Sequence, residues 1–384
     1  MLILLMAVIY LAFFSMGLPD GMIGAAWPSM YQGFGVPVST AGGVTMLVSS
    51  GTVISALCAN ALISRWGTWR ITVGSTLLTA VALVGFALAP SYAWLCASAL
   101  PLGLGAGAID AVLNNYVAQH GSSRQMSWVH VSWGIGATLG PCVLAWLLAG
   151  GCVWRSGYWC VAALQGVMVV LLAASRSLWK ADATPDAAEA TPVTTAEALR
   201  LKGIGWALLG LFAMQGLEFC SGIWAGSYLH VVGGCSAGIA AKWAALFYGG
   251  MTVGRFLAGF IADRLGDRKM LWLGAGLVAV GVLLLFTARS LCQMQVGLGC
   301  LGLGIAPLFP SFLHATPTTF GSRYTQAVMG LQMACAYTGA TLMPPLLGWV
   351  AQHAQLTVYP YFLGGFLVVM AAALYRLHRV RPQA

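Results

Sequence analysis

Residues 259–269 read GFIADRLGDRK and residues 60–70 read NALISRWGTWR, with an Arg and a Gly at matching positions of the two segments. The segments are 199 residues apart. Three further pairs of short matches keep nearly the same spacing: 17–18 with 216–217, 103–105 with 302–304, and 136–141 with 339–344. Four matches at nearly one offset indicate an internal repeat, in which two halves run in the same orientation.

The composition places both halves in a lipid bilayer. Of 384 residues, 18 are Lys or Arg and 9 are Asp or Glu, whereas 59% are hydrophobic, and the mean hydropathy is +0.84. So few charges cannot cover the surface of a soluble protein of this size, and so apolar a chain is not disordered. The ten cysteines are scattered without paired spacing, so the sequence predicts neither a metal site nor a disulfide framework. No cofactor is expected.

Polar and Gly/Pro positions divide the chain into twelve apolar segments, most of them long enough to cross about 30 Å of hydrocarbon as helices. The predicted helices are 2–31, 38–63, 69–89, 92–119, 125–149, 153–179, 203–231, 237–262, 269–288, 290–314, 323–351 and 357–378. We therefore predict an all-α membrane protein with two six-helix halves, 1–179 and 203–384, joined by a polar linker at 180–202.

The basic residues set the predicted orientation. Fourteen of the 18 Lys and Arg residues fall on the side that holds both termini and the linker, and three (Arg155, Lys242 and Arg289) fall on the other. The positive-inside rule then predicts cytoplasmic termini, and we expect a bacterial inner (plasma) membrane. Because these residues are dispersed over short loops, the net charge of +9 does not indicate nucleic-acid binding.

The segment 259–269 resembles the signature loop between helices 2 and 3 of the major facilitator superfamily, here in its second-half position. The first copy departs from the pattern, since Ser64 stands where the aspartate belongs. The resemblance implies the fold of that superfamily, with a charged latch on the cytoplasmic side. Carried over to this sequence, the latch residues are Asp263, Arg264, Arg255 and Arg268.

A narrower resemblance is to the fucose-permease-like sugar:proton symporters. It rests on an acid in predicted helix 1 (Asp20), the pattern Asp110-x-x-x-Asn114 in helix 4, an acid in helix 7 (Glu218), and the sequence GLGIAPLFPS at 302–311. In that branch, carboxylates of helices 1 and 4 couple proton and sugar. The resemblance assigns these roles to Asp20 and Asp110.

The three acids within predicted spans are candidates independently of any family. An ionised carboxylate at the centre of a membrane helix costs about 2.5–3.5 kcal/mol on insertion scales, so such residues usually face a cavity and carry function. Gly103, Gly107, Asp110 and Asn114 form one stripe of a helix. We predict proton coupling by Asp20, Asp110 and Glu218; a packing acid with hydrogen bonds between helices is the alternative.

Polar and aromatic residues near these acids are candidates for solute binding. We predict hydrogen bonds or stacking from Asn114, Asn115, His130, Trp27, Trp133, Trp224, Gln332 and Phe309. A histidine with a structural hydrogen bond, and aromatic residues that pack or lie at the membrane interface, are the competing interpretations.

These patterns predict a monomeric secondary transporter that moves a small polar solute, with a sugar as the favoured class, together with protons. No metal-ligand cluster or nucleophile–base pair is spaced for chemistry, so the sequence does not predict an enzyme. Two alternatives stay open. The sequence GATLGP at 136–141 resembles a motif of proton-coupled drug exporters, and a non-transporting membrane sensor has the same composition. The residues also leave open the solute, the direction of transport, and the choice between H⁺ and Na⁺.

Overall fold

The computed structural model describes residues 2–20, 22–36, 40–179, 193–235 and 237–379, and every regular element in these ranges is a helix. The α-helices are α1 Leu2–Gly17, α2 Met22–Phe34, α3 Ala41–Leu88, α4 Tyr92–His120, α5 Ser123–Ala149, α6 Trp154–Ala174, α7 Thr195–Ala198, α8 Ile204–Val231, α9 Ala237–Leu265, α10 Asp267–Phe286, α11 Leu291–Ile305, α12 Leu308–His314, α13 Thr316–Phe320, α14 Ser322–Ala354 and α15 Tyr359–Leu377. Short 3₁₀ turns cover Ser175–Leu178 and Leu356–Val358.

The helices follow the predicted spans closely. Within the described part of the chain, nine helical stretches are long and apolar enough to cross a membrane. One of them, α3, contains two predicted spans, and α9 and α14 follow the predicted spans 237–262 and 323–351. The prediction of an all-α membrane protein is therefore confirmed.

Two predicted helices are broken rather than continuous. The first ends at Gly17 and resumes at Met22, and the tenth ends at Ile305 and resumes at Leu308. A proline lies in each break, Pro19 in the first and Pro307 in the second. Since proline has no N–H to donate and its ring clashes with the preceding turn, each proline interrupts the helix locally.

The two copies of the repeated loop have the same backbone conformation. Gly67, inside α3, has φ 76° and ψ 159°, and Gly266, between α9 and α10, has φ 75° and ψ 159°. An L side chain is strained at such a φ, whereas glycine adopts it readily. The loop thus keeps its glycine in both copies although its charged residues differ.

The chain forms two compact units, Met1–Tyr116 with Val129–Thr194, and Val117–Trp128 with Thr195–Ala384. We call them the first unit and the second unit. The predicted boundaries at residues 179 and 203 stay a prediction, because positions 180–192 lie outside the described residues. The tip of the α4–α5 hairpin belongs to the second unit, a feature that the sequence does not predict.

Each unit contains the same close helix crossing. A Cβ at Gly103 of α4 would lie 1.9 Å from the carbonyl oxygen of Val48, and a Cβ at Gly302 of α11 would lie 2.0 Å from that of Phe247. Both members of the pair shift by 199 residues from one unit to the other. Small residues allow membrane helices to approach and gain van der Waals contact where lipid provides no hydrophobic driving force. The repeat predicted from short matches is therefore confirmed at the level of contacts.

Candidate functional site

The break between α1 and α2 presents the Asp20 carboxylate in the first unit. The backbone N–H of Asp20 donates to Gly17 O at 3.0 Å, and that of Met22 donates to Pro19 O at 3.2 Å, which closes the turn. Asp20 therefore precedes the N-terminus of α2, where the helix dipole favours a negative charge. Its side chain is exposed.

Trp133 of α5 holds this carboxylate, with its indole Nε1 donating to Asp20 Oδ2 at 2.8 Å. Close packing of α5 against the chain around the break brings the indole there. A Cβ at Gly136 would lie 2.0 Å from Phe14 O, and one at Gly140 would lie 1.8 Å from Leu18 O. The GATLGP motif that resembles an exporter motif thus has a packing function in this structure.

Asp110 of α4 is the buried partner in the same unit, with 6% of its surface exposed. Asn114, one helical turn later and fully buried, donates from Nδ2 to Asp110 Oδ1 at 2.8 Å and to Asp110 O at 3.0 Å. The Oδ1 atom of Asn114 is buried and accepts no hydrogen bond from the described residues. The predicted helical stripe therefore orients the Asp110 carboxyl group and leaves a buried acceptor beside it.

Asp20 and Asp110 belong to the same unit, and their side chains lie within electrostatic range of each other. Two neighbouring carboxylates repel each other when both are ionised. One carboxylate is exposed and the other is buried. This pair is the chemically distinctive feature of the first unit.

The other candidates in the first unit are also buried. His130 of α5 contacts Phe13 edge to face, with 5.7 Å between ring centroids. Asn115 is buried on α4 beside Asn114. Trp27 lies in the hydrophobic core of the unit, with its ring edge to face with Tyr92 at 6.4 Å. Trp27 is therefore placed as a packing residue, which is the competing interpretation given above for the aromatic candidates.

In the second unit, Glu218 of α8 and Arg255 of α9 form an ion pair at 3.4 Å between Glu218 Oε1 and Arg255 NH2, with side chains 10% and 8% exposed. The structure thus pairs Arg255, a residue that the resemblance assigns to the cytoplasmic latch, with Glu218. The latch assignment stays a prediction. Charges this deeply buried need a partner because desolvation penalises an unpaired ion. Gln215 Oε1 and Ser221 Oγ, on the same helix, are buried without a hydrogen bond from the described residues.

The remaining candidates of the second unit connect its elements. Trp224 Nε1 of α8 donates to the carbonyl of Pro344 in α14 at 3.0 Å. Gln332 of α14 accepts from Thr316 Oγ1 of α13 at 2.9 Å, and it is buried. Phe309 is buried on the short helix α12.

The signature loop caps the start of α5. Asp263 accepts from the backbone N–H of Arg124 at 2.9 Å and pairs with its guanidinium at 3.4 Å. Asp267 accepts from Ser123 Oγ at 2.6 Å and contacts His314 Nδ1 at 2.7 Å. A carboxylate at a helix N-terminus satisfies N–H groups that have no partner within the helix.

The sequence missed three of these loop contacts. Ser123, Arg124 and His314 are not among the functional residues that the sequence predicts. The signal for Ser123 was its position as a hydroxyl residue at the start of a predicted helix. The predicted latch residues Arg264 and Arg268 are exposed. Within the described ranges, no group of three or more His, Cys, Asp or Glu side chains could hold a metal ion.

Comparison with known proteins places the chain in a family. Residues 9–249 and 234–384 match the Major Facilitator Superfamily, so the chain belongs to this superfamily of transporters. The glucose/mannose transporter GlcP of Bacillus subtilis is 21% identical, over 97% of this chain and 94% of that protein.

Solved structures share the fold. The transporter FucP in its outward conformation has a TM-score of 0.81 at 16% identity, with 97% of this chain and 98% of FucP covered. The proton:xylose symporter XylE has a TM-score of 0.75 at 15% identity, with 98% and 95% covered. The protein is therefore an integral membrane transporter with the major facilitator fold, as the signature loop predicted.

Proposed function

We propose that this protein is a monomeric proton-coupled symporter of a small polar solute, and that the solute is a sugar. The observation that carries the proposal is the interacting pair in the first unit, exposed Asp20 held by Trp133 and buried Asp110 held by Asn114. Proteins of similar fold are described as a fucose:proton symporter and a proton:xylose symporter, and a relative as a glucose/mannose transporter.

The two carboxylates have different functions in this proposal: Asp20 binds the solute and Asp110 binds the proton. Asp20 is exposed and keeps acceptor capacity beyond the bond from Trp133, so it accepts hydrogen bonds from solute hydroxyl groups. Asp110 is buried beside Asn114, and in this proposal it carries the transported proton. Asn114 Oδ1 beside it accepts a hydrogen bond from the protonated carboxyl group after a small rotation.

Coupling follows from the repulsion between the two groups. A proton on Asp110 removes its charge, and the ionised form of Asp20 that accepts the hydroxyl groups becomes more favourable. A solute bound to ionised Asp20 in turn favours protonation of Asp110. Because binding free energies are reciprocal, proton and solute each raise the affinity for the other, which is the requirement for symport.

The Glu218–Arg255 pair has a different role in this proposal. Glu218 already has a partner in Arg255, so in this proposal the pair joins α8 to α9 and Glu218 does not carry the transported proton. The assignment of Glu218 to proton coupling from the sequence stays a prediction, and the proposal here assigns coupling to Asp20 and Asp110.

Accumulation in proteoliposomes tests the proposal. Reconstituted protein is given an inward proton gradient and labelled L-fucose, D-xylose or D-glucose. We expect wild-type protein to accumulate one of these sugars, Asp110→Asn to allow exchange without pH-driven accumulation, and Asp20→Asn to lose binding. Asp182→Asn, in the polar linker, is the matched control and is expected to behave as wild type.

Retention of pH-driven accumulation by both Asp20→Asn and Asp110→Asn would contradict the coupling assignment. Gradient-driven export of cationic dyes by protein that accumulates none of the three sugars would identify an antiporter instead. No flux of any compound, for protein that a sugar stabilises against heat, would favour the sensor.

A further inference from the structure

The second unit contains a cavity whose lining includes none of the acids described above. Its volume is about 510 Å³, and it is lined by Glu197, Arg200, Leu201, Lys202, Arg323 and Tyr324. The first four residues come from α7 and the segment that leads into α8, and the last two from the first turn of α14. The volume lies within the range of small-molecule sites, roughly 300–1,000 Å³.

The charge of the lining favours an anion. Three side chains, Arg200, Lys202 and Arg323, are cationic, and Glu197 is the carboxylate among the lining residues. The Arg323 guanidinium carbon lies 5.7 Å from the centroid of the Tyr324 ring, so the cation lies beside the phenol. Guanidinium groups and a hydroxyl donor together match the oxygens of a phosphate group.

The N-terminus of α14, the positive end of its helix dipole, lies at the same cavity. Arg323 and Tyr324 are the second and third residues of this 33-residue helix, which begins after Gly321. Its first turn contains no acid, and among the described residues no side chain caps it. The N–H groups at a helix N-terminus and the aligned dipole favour a bound anion, so the backbone supports what the side chains provide.

We propose that this cavity binds a phosphate ester, through Arg200, Lys202, Arg323 and Tyr324. The sequence predicts that these residues lie on the cytoplasmic side, where acidic phospholipids attract basic clusters. The phosphate ester comes either from the headgroup of such a lipid or from a soluble metabolite. The proposal does not depend on the transported solute or on proton coupling.

Binding to the full-length protein in detergent tests this proposal. Native mass spectrometry counts bound phosphatidylglycerol, with phosphatidylcholine of the same acyl chains as the zwitterionic reference. We expect preference for phosphatidylglycerol, or its displacement by millimolar glycerol 3-phosphate. Displacement identifies a soluble phosphate ester as a ligand, and its absence identifies the lipid headgroup; both outcomes support the site.

Charge variants locate the binding. Each basic residue near an anionic surface changes binding about fivefold, so Arg323→Gln is expected to weaken it by that factor and the Arg200→Gln/Lys202→Gln/Arg323→Gln triple variant by roughly a hundredfold. Glu197→Gln is expected to strengthen it. The control is Arg65→Gln, an exposed arginine on the same predicted side and outside the cavity.

Three results would overturn the proposal. They are equal binding of the two lipids with no binding of glycerol 3-phosphate, equal loss in Arg65→Gln and Arg323→Gln, and unchanged binding in the triple variant. A thermal unfolding curve for each variant confirms that it is folded. This experiment measures binding and not transport. A negative result would therefore not contradict the proposed symport, and a negative transport result would not contradict this site.

Discussion

The indole of Trp133 donates one hydrogen bond to the exposed carboxylate of Asp20, at 2.8 Å. This bond fixes which carboxylate oxygen faces the indole and leaves the other lone pairs for a ligand. The arrangement makes Trp133 a positioning residue for Asp20 as well as an aromatic surface. The two functions separate when the indole is replaced by a ring that cannot donate.

Trp133→Phe keeps an aromatic ring and removes the donor. A hydrogen bond to a charged group contributes about 1.5–3 kcal/mol, so we expect KM for the transported sugar to rise roughly tenfold to a hundredfold. Initial uptake rates against sugar concentration measure the change. Trp146→Phe is the matched control on the same helix, since Trp146 is 75% exposed. Equal KM values in the two variants would show that the bond to Asp20 does not position it for binding.

The buried ion pair of Glu218 and Arg255 is tested by a double-mutant cycle. Removal of one partner leaves an unpaired buried charge, which costs about 3–5 kcal/mol, so Glu218→Gln and Arg255→Met should each lower the thermal stability. The double variant leaves no charge to desolvate and should recover most of the loss. Thermal unfolding in detergent measures all four proteins. Additive losses in the double variant would mean that the pair is not coupled.

Among the helices, glycine contacts determine where two elements cross. Gly302 of α11 faces the carbonyl of Phe247 in α9, whereas a Cβ on Gly299 of the same helix would meet nothing within 4 Å. Two glycines one turn apart thus differ in function. One permits close approach, and the other lowers the helix propensity without a packing reason.

Alanine at these two positions should have opposite effects. Gly302→Ala forces α9 and α11 apart and should destabilise the protein by about 1–3 kcal/mol. Gly299→Ala should be neutral or slightly stabilising, since alanine favours the helix. Melting temperatures in detergent provide the comparison. A similar melting temperature for the two variants would show that the crossing adjusts to a methyl group.

The sequence predicted most elements because a membrane span is a local property of about 20 residues. It did not predict that the first span divides at Leu18–Asp20, although Pro19 indicated a bend. The close approach of α5, through Gly136 and Gly140, accompanies this break. The hydrophobic periodicity of the first span does not indicate where α5 approaches it or where the helix breaks.

At the level of the whole chain, the repeat was predictable and the pairing of charges was not. Matches at an offset of 199 residues are found by comparing the sequence with itself, without any knowledge of the fold. The contact between Arg124 and Asp263 joins positions 139 residues apart, and that between Glu218 and Arg255 joins adjacent helices. Such contacts depend on the rotation of each helix about its axis, which hydrophobicity specifies weakly when helices are apolar all round.

The two glycine crossings are the contacts that duplication of one half-length chain would produce. If one half-length gene was duplicated and fused, the contact of Gly103 with Val48 and that of Gly302 with Phe247 descend from one ancestral contact. At matching positions of the signature loop, one copy has Ser64 and the other has Asp263. The two copies therefore differ in the charge of the loop and agree in the short distance between backbones at the crossing.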